Sequence, residues 1–483
     1  MALDYDLSSI QEARDVARKA KEAQLIFSEY TEKEIDNILV AMVKAVENNA
    51  EWLARMAVDE TKYGVFEHKV IKNLFASRDV YEHIKNMKTR GIIKEDQEKK
   101  VIEAAVPVGV VLGIVPTTNP TSTIIHNALC AIKAGNAIVF APHPNAVRCS
   151  NATVQVLHEA AVKAGAPEGI IGSISKITMK ATEELMHHDD ISVIVATGGS
   201  GMVKAAYSSG KPALGVGPGN VPVFVERTAD IKQAVADIIY SKSFDNGMIC
   251  ASEQAILVDE PIKDQVIAEI KKQGGYFLSK EETEKVSRVV MNPKGGMNPA
   301  LVGKTPGVIA DKVGINIPDG TRLLVAPLDG YGEGYPLSYE KLTPVIAFYT
   351  VKDWLEGCRL GIELLNLGGI GHTFSIHSQD EEIIKEFIQK PVSRIVVNTP
   401  SALGGIGYTT GLTPSLTLGC GTWGGSSISE NLGPQHLINV KRLAYGIKKI
   451  DTKDSKEIST ASKFTSDDIA GVVREVLNRL QLQ

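Results

Sequence analysis

The segment Pro107-Val-Gly-Val-Val-Leu-Gly-Ile-Val115 indicates the fold class of this chain of 483 residues. Residues 110–115 are apolar without interruption, which is typical of a parallel strand covered on both faces. A short loop, 116–120, leads into an apolar helix, and the same alternation continues along the chain. Further strands are predicted at 135–140, 170–174 and 191–196, and further helices at 151–164, 178–187 and from 202 onward. This order of elements predicts a doubly wound α/β sheet.

Outside this run the patterns change. Residues 5–90 carry apolar side chains at helical spacing, and residues 101–105 are typical of a strand. A second α/β unit is predicted from residue 229, with a strand at 255–258, a helix at 262–273 and a loop-rich region to about 334. A loop feeding a strand is expected at 340–348, a glycine loop at 366–372 and a strand at 394–397. The glycine-rich stretch 400–434 is expected to line a site, as long ordered loops often do.

Composition excludes several classes of protein. The net charge is −5 and no block of Lys or Arg occurs, so no nucleic-acid partner is expected. The five cysteines are scattered and lack CxxC spacing, which favours a reducing compartment and argues against a metal site or a disulfide framework. The charged N-terminus lacks the apolar core of a secretory signal, and no apolar run reaches the ~18 residues of a membrane span. A cytoplasmic protein is expected.

One cysteine stands in a distinctive setting, Lys242-Ser-Phe-Asp-Asn-Gly-Met-Ile-Cys250-Ala-Ser-Glu-Gln254. The Asp-Asn-Gly turn tolerates positive φ, and the small residues Ala251 and Ser252 leave space around the sulfur. A buried strand follows, so the thiol would lie at the edge of a rigid element. Cys250 is therefore a candidate nucleophile. A buried cysteine of the core is the alternative.

The small residues after the strand at 191–196 predict a phosphate site. Thr197, Gly198, Gly199 and Ser200 lie between a strand and a helix N-terminus, where backbone N–H groups can face an anion. A βα turn without a ligand is the alternative. The stretch Gly419-Cys-Gly-Thr-Trp-Gly424 fits GxGxxG in form, but no helix opening follows it, so it is rejected as a dinucleotide site.

The C-terminal segment reads as a linker followed by an amphipathic helix. Residues 451–464 are polar, and residues 465–483 carry an apolar stripe: Ile469, Val472, Val473, Val476, Leu477 and Leu480. The stripe predicts a helix that docks on a partner surface. Docking on its own oligomer is the alternative.

Several segments together resemble the CoA-acylating branch of the aldehyde dehydrogenase superfamily, across roughly residues 5–447. The resemblance rests on the Cys250 segment and on Gly215-Val-Gly-Pro-Gly-Asn220, Glu340-Lys-Leu-Thr-Pro344, Gly371-His-Thr373, Gly421-Thr-Trp-Gly-Gly-Ser-Ser427 and Pro434-Gln-His-Leu-Ile-Asn-Val-Lys441. It implies two doubly wound α/β domains and a small β oligomerisation element, besides the C-terminal amphipathic helix.

The implied domains are a cofactor-binding domain at 1–228 with oligomerisation strands near 95–108, a catalytic domain at 229–428 and an oligomerisation segment at 429–450. A homodimer or homotetramer is implied. Similar linker-plus-helix tags occur on the aldehyde dehydrogenases of bacterial microcompartments. The resemblance therefore implies binding of residues 465–483 to shell or core proteins, and a location in the bacterial cytoplasm inside such a compartment.

The resemblance also implies the chemistry. Cys250 would attack a short-chain aldehyde, acetaldehyde or propionaldehyde, with NAD as oxidant and CoA as acyl acceptor. Thr118, Asn119 and His372 are the other expected catalytic residues. The expected cofactor-binding residues are Pro116, Thr117, Ala141, Pro142, His143, Thr197, Gly198, Gly199, Ser200, Gly215, Val216, Gly217, Glu340 and Leu342, of which Glu340 matches the residue that holds the nicotinamide ribose.

The sequence departs from the hydrolytic relatives at three places. Gly215-Val-Gly-Pro-Gly219 lacks the glutamate that activates water there, which favours transfer of the acyl group to the CoA thiol. Thr118 replaces an asparagine, with Asn119 beside it, and the oxyanion donor stays open. Ala141 and Pro144 replace the charged residues that bind the adenosine ribose, so the choice between NAD and NADP stays open.

Alternatives remain for residues and for function. Glu253 is interpreted as a solvated or structural carboxylate rather than a base, His372 as either an orienting or a structural residue, and Cys420 as a packing residue. A hydrolytic aldehyde dehydrogenase, an acylating enzyme for a substituted aldehyde and a non-enzymatic assembly protein are the competing functions.

Overall fold

The computed structural model describes residues 4–292, 296–448 and 465–480. Its helices are α1 Tyr5–Phe27, α2 Glu32–Thr61, α3 Phe66–Leu74, α4 Val80–Ile84, α5 Pro120–Lys133, α6 Val147–Lys163, α7 Met179–His187, α8 Ser200–Ser208, α9 Ile231–Ser243, α10 Lys263–Lys272, α11 Lys280–Val290, α12 Pro306–Val313, α13 Trp354–Asn366, α14 Glu381–Glu386, α15 Ser401–Gly405 and α16 Ser466–Leu480. A π-helical turn, Phe75–Asp79, joins α3 to α4.

The strands lie in three sheets. They are β1 Gly91–Asp96, β2 Val101–Pro107, β3 Val110–Ile114, β4 Ala137–Ala141, β5 Ile171–Ser173, β6 Val193–Thr197, β7 Ala213–Val216, β8 Val221–Val225, β9 Glu253–Asp259, β10 Gly275–Phe277, β11 Leu323–Pro327, β12 Val345–Val351, β13 Gly371–His377, β14 Val392–Val397 and β15 Ile438–Ala444. The chain forms two compact units by its contacts, residues up to 91 with 105–440, and 92–104 with 441 onward.

The first unit contains two parallel sheets. The five-stranded sheet has the order β5-β4-β3-β6-β7. Every residue of β3 and β4 is buried, as the apolar runs predict. Helix α5 is buried at all of its positions. The strand order reverses between β3 and β6, which is where open α/β sheets form a ligand crevice at the carboxyl ends of their strands.

The second sheet of this unit has seven parallel strands in the order β10-β11-β12-β9-β8-β13-β14. Strand β8 pairs with β9 near the centre of this sheet. The sheet therefore includes residues before 229, the position at which the sequence predicted the second α/β unit to begin. The α/β class with two doubly wound sheets is confirmed. The strand β9 directly follows the Cys250 segment and is buried throughout.

Two expectations about local structure are wrong. The region to 334 is not loop-rich, because α11, α12 and β11 lie there, and α11 begins with a capping box between Ser279 and Glu282. Helix α11 buries only a few side chains and carries many charged ones, so the helical spacing of its buried positions was not visible in the sequence. His372 lies inside β13, not in a glycine loop, because the loop ends at residue 370. Strand β1 begins at Gly91, ahead of the strands expected near 95–108.

The second unit contains a three-stranded sheet of order β1-β2-β15 and the helix α16. Arg442 Nε pairs with Glu103 Oε1 at 2.9 Å between two of these strands. Helix α16 confirms the predicted C-terminal helix, whereas the predicted linker at 451–464 lies outside the described residues. In the described ranges, no helix combines the length and the apolar character needed to cross a membrane.

Candidate active site

A cavity of about 710 Å³ lies in the first unit, at the strand-order reversal of the five-stranded sheet. Most of the predicted site residues line it: Pro116, Thr117, Thr118, Asn119, Ala141, Pro142, His143, Thr197, Gly198, Gly199, Val216, Gly217, Cys250, Glu340 and Leu342. Most of these residues come from the ends of β4, β6 and β7 and from the loops that follow β3, β4, β6 and β7. Cys250 lies ahead of β9, and Glu340 and Leu342 lie ahead of β12. Parallel strands bring these loops together because their carboxyl ends share one edge of the sheet.

The turn before Cys250 has the predicted conformation. Asp245, Asn246 and Gly247 have φ values of 49°, 54° and 76°, and the two non-glycine residues are among the few of the described chain in the left-handed region. The segment then enters β9, so a rigid strand fixes the position of the sulfur. Cys250 is partly exposed and lines the cavity, whereas the other four cysteines are buried. The position of Cys250 on the cavity favours the nucleophile over the core cysteine.

The surroundings of Cys250 hold its thiol protonated. Burial, followed by the negative charge of Glu340, raises the pKa of Cys250 to about 12, although the guanidinium of Arg394 opposes both. Arg394 Nη1 donates to the carbonyl of His372 at 3.1 Å, and its Nη2 donates to the carbonyls of Gly419 and Ser429. A buried cation held by neutral carbonyls leaves its charge available to a developing thiolate.

A buried cluster of charges lies behind the loop that follows β3. Lys69 and Lys72 of α3 both contact Asp245 Oδ2, at 3.1 and 2.5 Å. Lys69 Nζ also donates to the carbonyl of Thr118 at 3.0 Å, and Lys72 Nζ donates to Asn119 Oδ1 at 2.6 Å. Burial alone would raise the pKa of Asp245, but the two ammonium groups hold it below its usual value. Two cations against one carboxylate leave this cluster positive.

Glu340 is fixed from two sides. The backbone N–H of Gly219 donates to its Oε1 at 2.9 Å, and burial raises its pKa to about 7. The next residue, Lys341, donates its backbone N–H to Gln254 Oε1 at 2.9 Å, and Lys242 Nζ reaches the same oxygen at 2.8 Å. Gln254 therefore links the strand after the nucleophile to the loop that carries Glu340.

The N-terminus of α8 can hold a phosphate. Gly199 is its N-cap and supplies no side-chain hydrogen bond to the first turn. A Cβ atom added at Gly199 or Gly201 would meet no atom within 4 Å, so space is open in front of the backbone. Thr197, Gly198 and Gly199 all line the cavity. Free N–H groups at the positive end of a helix are suited to a pyrophosphate.

Two predicted site residues, Gly215 and His372, are not among the residues that line the cavity. Gly215 lies within β7, and the side chain of Ser200 is outside the described part. His372 is fully buried, with Nδ1 2.8 Å from Thr373 Oγ1, and its Nε2 has no partner among the described residues. Burial lowers the pKa of His372 well below its usual value, so the ring is neutral.

Glu253 does not line the cavity either, which agrees with the structural interpretation. It is fully buried, and its Oε1 accepts the backbone N–H of Ser401 at 2.9 Å. Burial raises its pKa to about 7. Cys420 is buried and packs in the same apolar cluster as Phe244 and Ile249, as expected.

Sequence reasoning missed the buried charges Lys69, Lys72, Lys242 and Arg394. Lysine and arginine side chains are usually exposed, so the residue type alone gave no signal that these four are buried. Their positions did carry one: His68, Lys69 and Lys72 recur at helical spacing, and Arg394 stands in an apolar strand. The missed lining residues are mainly apolar: Tyr63, Met179, Met202, Met248, Ile249, Val302, Ile406, Leu416 and Leu418.

Comparison with known proteins gives consistent matches. Residues 3–277 match the model of the aldehyde dehydrogenase family. The bifunctional aldehyde-alcohol dehydrogenase of Escherichia coli is 44% identical over 444 residues, and the match covers 91% of this chain and 50% of that protein. The chain thus spans about half the length of that relative.

Two solved structures are also similar. The crystal structure of an acetylating aldehyde dehydrogenase from Geobacillus thermoglucosidasius is 53% identical, with a TM-score of 0.92, covering 93% of this chain and 100% of that one. A propionaldehyde dehydrogenase from the fucose utilisation bacterial microcompartment of Clostridium phytofermentans is 31% identical, with a TM-score of 0.81, covering 90% of this chain and 97% of that one.

Proposed function

The chain belongs to the aldehyde dehydrogenase family, and on that premise we propose that it oxidises a short, uncharged aldehyde to an acyl-CoA, with NAD and CoA as co-substrates. The observation that carries this proposal is the position of Cys250 on a cavity whose described lining offers one carboxylate, Glu340. That carboxylate is tied to the Gly219 N–H. A thiol without a dedicated carboxylate base is suited to passing its acyl group to another thiol rather than to water.

The reaction follows from the residues in order. The Cys250 thiolate attacks the aldehyde carbon, a C–S bond forms, and the carbonyl electron pair moves to oxygen. NAD, held by Glu340 and the N-terminus of α8, would supply a hydride acceptor, and loss of the hydride from the carbon bound to Cys250 would leave a thioester. The CoA thiol loses its proton to solvent, its sulfur attacks the thioester carbon, the C–S bond to Cys250 breaks, and Cys250 leaves as a thiolate. Arg394 favours the thiolate form at both stages, because its charge lowers the pKa of Cys250.

The residues around the cavity fit both co-substrates. The open backbone at Gly199 and Gly201 suits a pyrophosphate, and the Glu340 carboxylate suits a ribose hydroxyl. Pro142, His143 and Asn145 form an uncharged end of the cavity, where an adenine can lie without a competing salt bridge. We place His372 beside the thioester as an orienting residue. Its ring is neutral, and Cδ2 is 3.3 Å from the position that a Cβ atom at Gly219 would occupy.

The residues that line the cavity also favour an uncharged aldehyde as substrate. No lysine or arginine lies among the described lining residues, which instead include the apolar residues Val302, Leu342, Ile406, Leu416 and Leu418. An aldehyde with a carboxylate or sulfonate would bury its charge there without a partner, which is costly. Acetaldehyde and propionaldehyde carry no such group.

We further propose a cytoplasmic homo-oligomer, a dimer or tetramer, delivered to a bacterial microcompartment by α16. The support is the exposure of the stripe, since Ile469, Val472, Val473 and Val476 are 50–60% exposed. An apolar stripe of this kind favours a partner surface.

The test of the proposed activity is NADH formation with and without CoA, with products identified by mass spectrometry. Acetaldehyde, propionaldehyde and succinate semialdehyde form the panel. We expect acyl-CoA and NADH in equal amounts from the two uncharged aldehydes, and kcat/KM at least about 10-fold lower for the anionic one. Free acid as the main product at saturating CoA would refute acyl transfer to CoA. Equal use of succinate semialdehyde would refute the uncharged substrate class.

A further inference from the structure

The buried Lys72 ammonium has three acceptors and therefore a fixed orientation. Its Nζ lies 2.5 Å from Asp245 Oδ2, 2.6 Å from Asn119 Oδ1 and 3.3 Å from the carbonyl oxygen of Met248. An ammonium carries three hydrogens and accepts none, so these contacts use all of its donors. The side chain is 2% exposed, so water does not compete for them. Lys72 thus joins the loop after β3 to the turn before Cys250.

This contact decides which way the amide of Asn119 faces. The oxygen of the amide must point to Lys72, since an ammonium can only donate. The nitrogen Nδ2 then donates to the carbonyl of Met248 at 3.1 Å and to Thr118 Oγ1 at 3.2 Å. Both amide hydrogens are used in this way. The side chain of Asn119 has no hydrogen left to offer a substrate.

The side-chain donor next to this amide is the hydroxyl of Thr118. Its oxygen accepts the hydrogen from Asn119, so its own proton is free to point elsewhere. Thr118 lines the cavity together with Cys250, where the carbonyl oxygen of a bound aldehyde becomes negative during attack. A hydroxyl already polarised by a chain of hydrogen bonds from a cation is a stronger donor than an isolated one.

We propose that the Thr118 hydroxyl donates to the oxyanion of the thiohemiacetal and that Lys72 acts through Asn119 as the positioning residue for that hydroxyl. Asn119 itself is a relay and does not touch the oxyanion. Lys69 completes the arrangement from behind, because its Nζ holds the carbonyl of Thr118 and shares Asp245 with Lys72.

The inference rests on the proposed function, and a double-mutant cycle tests it. The variants are Thr118→Val, Lys72→Met and the double variant, with Thr118→Ser as the conservative replacement. Single-turnover NADH formation from acetaldehyde measures the step in which the oxyanion forms. NADH affinity by fluorescence and the rate at which iodoacetamide alkylates Cys250 report on the rest of the site.

We expect each single variant to lower the single-turnover rate about 10²-fold, the usual effect of removing one oxyanion donor. Thr118→Ser should stay within about 5-fold of the wild type, because it keeps the hydroxyl. The double variant should be no slower than the slower single variant, because both remove the same donor. NADH affinity and Cys250 alkylation should stay within about 3-fold of the wild type in Thr118→Val, which a general loss of structure would not allow.

Lys133→Met is the matched control for loss of a buried lysine. Lys133 is 1% exposed and its Nζ pairs with Asp36 Oδ1 at 2.8 Å, away from the cavity lining. Its rate should equal that of the wild type. Should Lys72→Met fail to fold, Asn119→Ala replaces it in the same cycle, since it removes the relay and leaves the cation.

Three results would overturn the inference: a Thr118→Val rate within about 3-fold of the wild type, a double variant whose losses multiply to about 10⁴, or a Thr118→Ser variant as slow as Thr118→Val. These are distinct from failure of the proposed function, in which the wild type itself forms no acyl-CoA. A wild type that forms free acid still passes through a thiohemiacetal, so the cycle remains decisive in that case.

Discussion

Gly219 lies directly against the backbone of Cys250: a Cβ atom added at Gly219 would stand 2.1 Å from the carbonyl oxygen of Cys250. The same glycine donates its N–H to Glu340 Oε1 at 2.9 Å. One residue therefore sets the spacing between the nucleophile and the carboxylate proposed to hold the cofactor. A methyl group at this position must displace backbone on one side or the other.

We expect Gly219→Ala to lower turnover by about 10²-fold or more, because a displacement of about 1 Å is enough for such a loss. The measurement is steady-state NADH formation with saturating co-substrates. The control is Gly307→Ala on α12, where the added Cβ would meet only Thr305 Oγ1 at 3.9 Å. That variant should keep wild-type activity. Wild-type turnover in Gly219→Ala would contradict the close contact.

Cys250→Ala should abolish aldehyde oxidation while NADH affinity stays near that of the wild type, since the sulfur forms the covalent bond and the cofactor contacts lie elsewhere. Trapping of the acyl-enzyme by mass spectrometry should label Cys250 in the wild type and no cysteine in the variant. Cys358→Ala is the control, because Cys358 is buried on α13 outside the cavity lining and should lose stability rather than activity. Labelling at Cys420 instead would refute the assignment.

Glu253→Gln should keep its activity and change the dependence of stability on pH. Burial raises the pKa of Glu253 to about 7 from 4.5, so the folded protein retains a proton that the unfolded chain has lost between these values. Stability from this group is full below pH 4.5 and falls as the pH rises to about 7. Relative to the wild type, the variant should gain stability at pH 8, by at most about 3 kcal/mol.

Chemical unfolding of the wild type and Glu253→Gln at pH 6 and pH 8 measures whether the difference in the free energy of unfolding changes with pH in the expected direction. The glutamine can still accept the Ser401 N–H, so the local contact is kept. A large loss of acyl transfer to CoA in this variant would show that Glu253 acts as a base and would contradict its structural role.

Gln254→Leu should raise the KM for NAD and lower stability by about 1–3 kcal/mol, because the buried amino group of Lys242 loses a hydrogen-bond partner and the Glu340 loop loses its link. The KM and the thermal unfolding temperature are the two measurements. Gln233→Leu on α9 is the control, since its amide only bonds Asp237 on the same helix. An unchanged KM with lowered stability would show that Gln254 does not determine the position of Glu340.

Residues 451–483 fused to a fluorescent reporter should form puncta in a host that makes microcompartment shells. The apolar stripe is the physical reason, because it removes exposed apolar surface on docking. Replacing Ile469 and Val473 by Asp in the fusion should give diffuse fluorescence. Diffuse fluorescence of the unaltered fusion would count decisively against targeting, and a change of oligomeric state in the full chain after truncation at 450 would favour self-docking.

The βα series was predictable because its strands are apolar throughout and are separated by short turns. The nucleophile segment was predictable for a different reason, since Asp245-Asn246-Gly247 needs positive φ and those residue types tolerate it. The region to 334 was not, because α11 buries only Thr283, Val286 and Val290 and its charges dominate the pattern. The charges behind the site were hidden because their partners are distant in sequence: Asp245 is more than 170 positions from Lys72.

Lys69 and Lys72 share the carboxylate of Asp245, and this arrangement constrains how the protein can evolve. Losing Asp245 leaves two buried cations without a counter-charge, and losing Lys72 also frees the amide of Asn119. Each such step costs about 3–5 kcal/mol, comparable to much of the stability of a domain. Single substitutions are therefore purged, and the three positions can change only in concert. In related sequences they should covary as a block, so that a lineage lacking the carboxylate also lacks both lysines and has rebuilt the loop at Thr118 by other means.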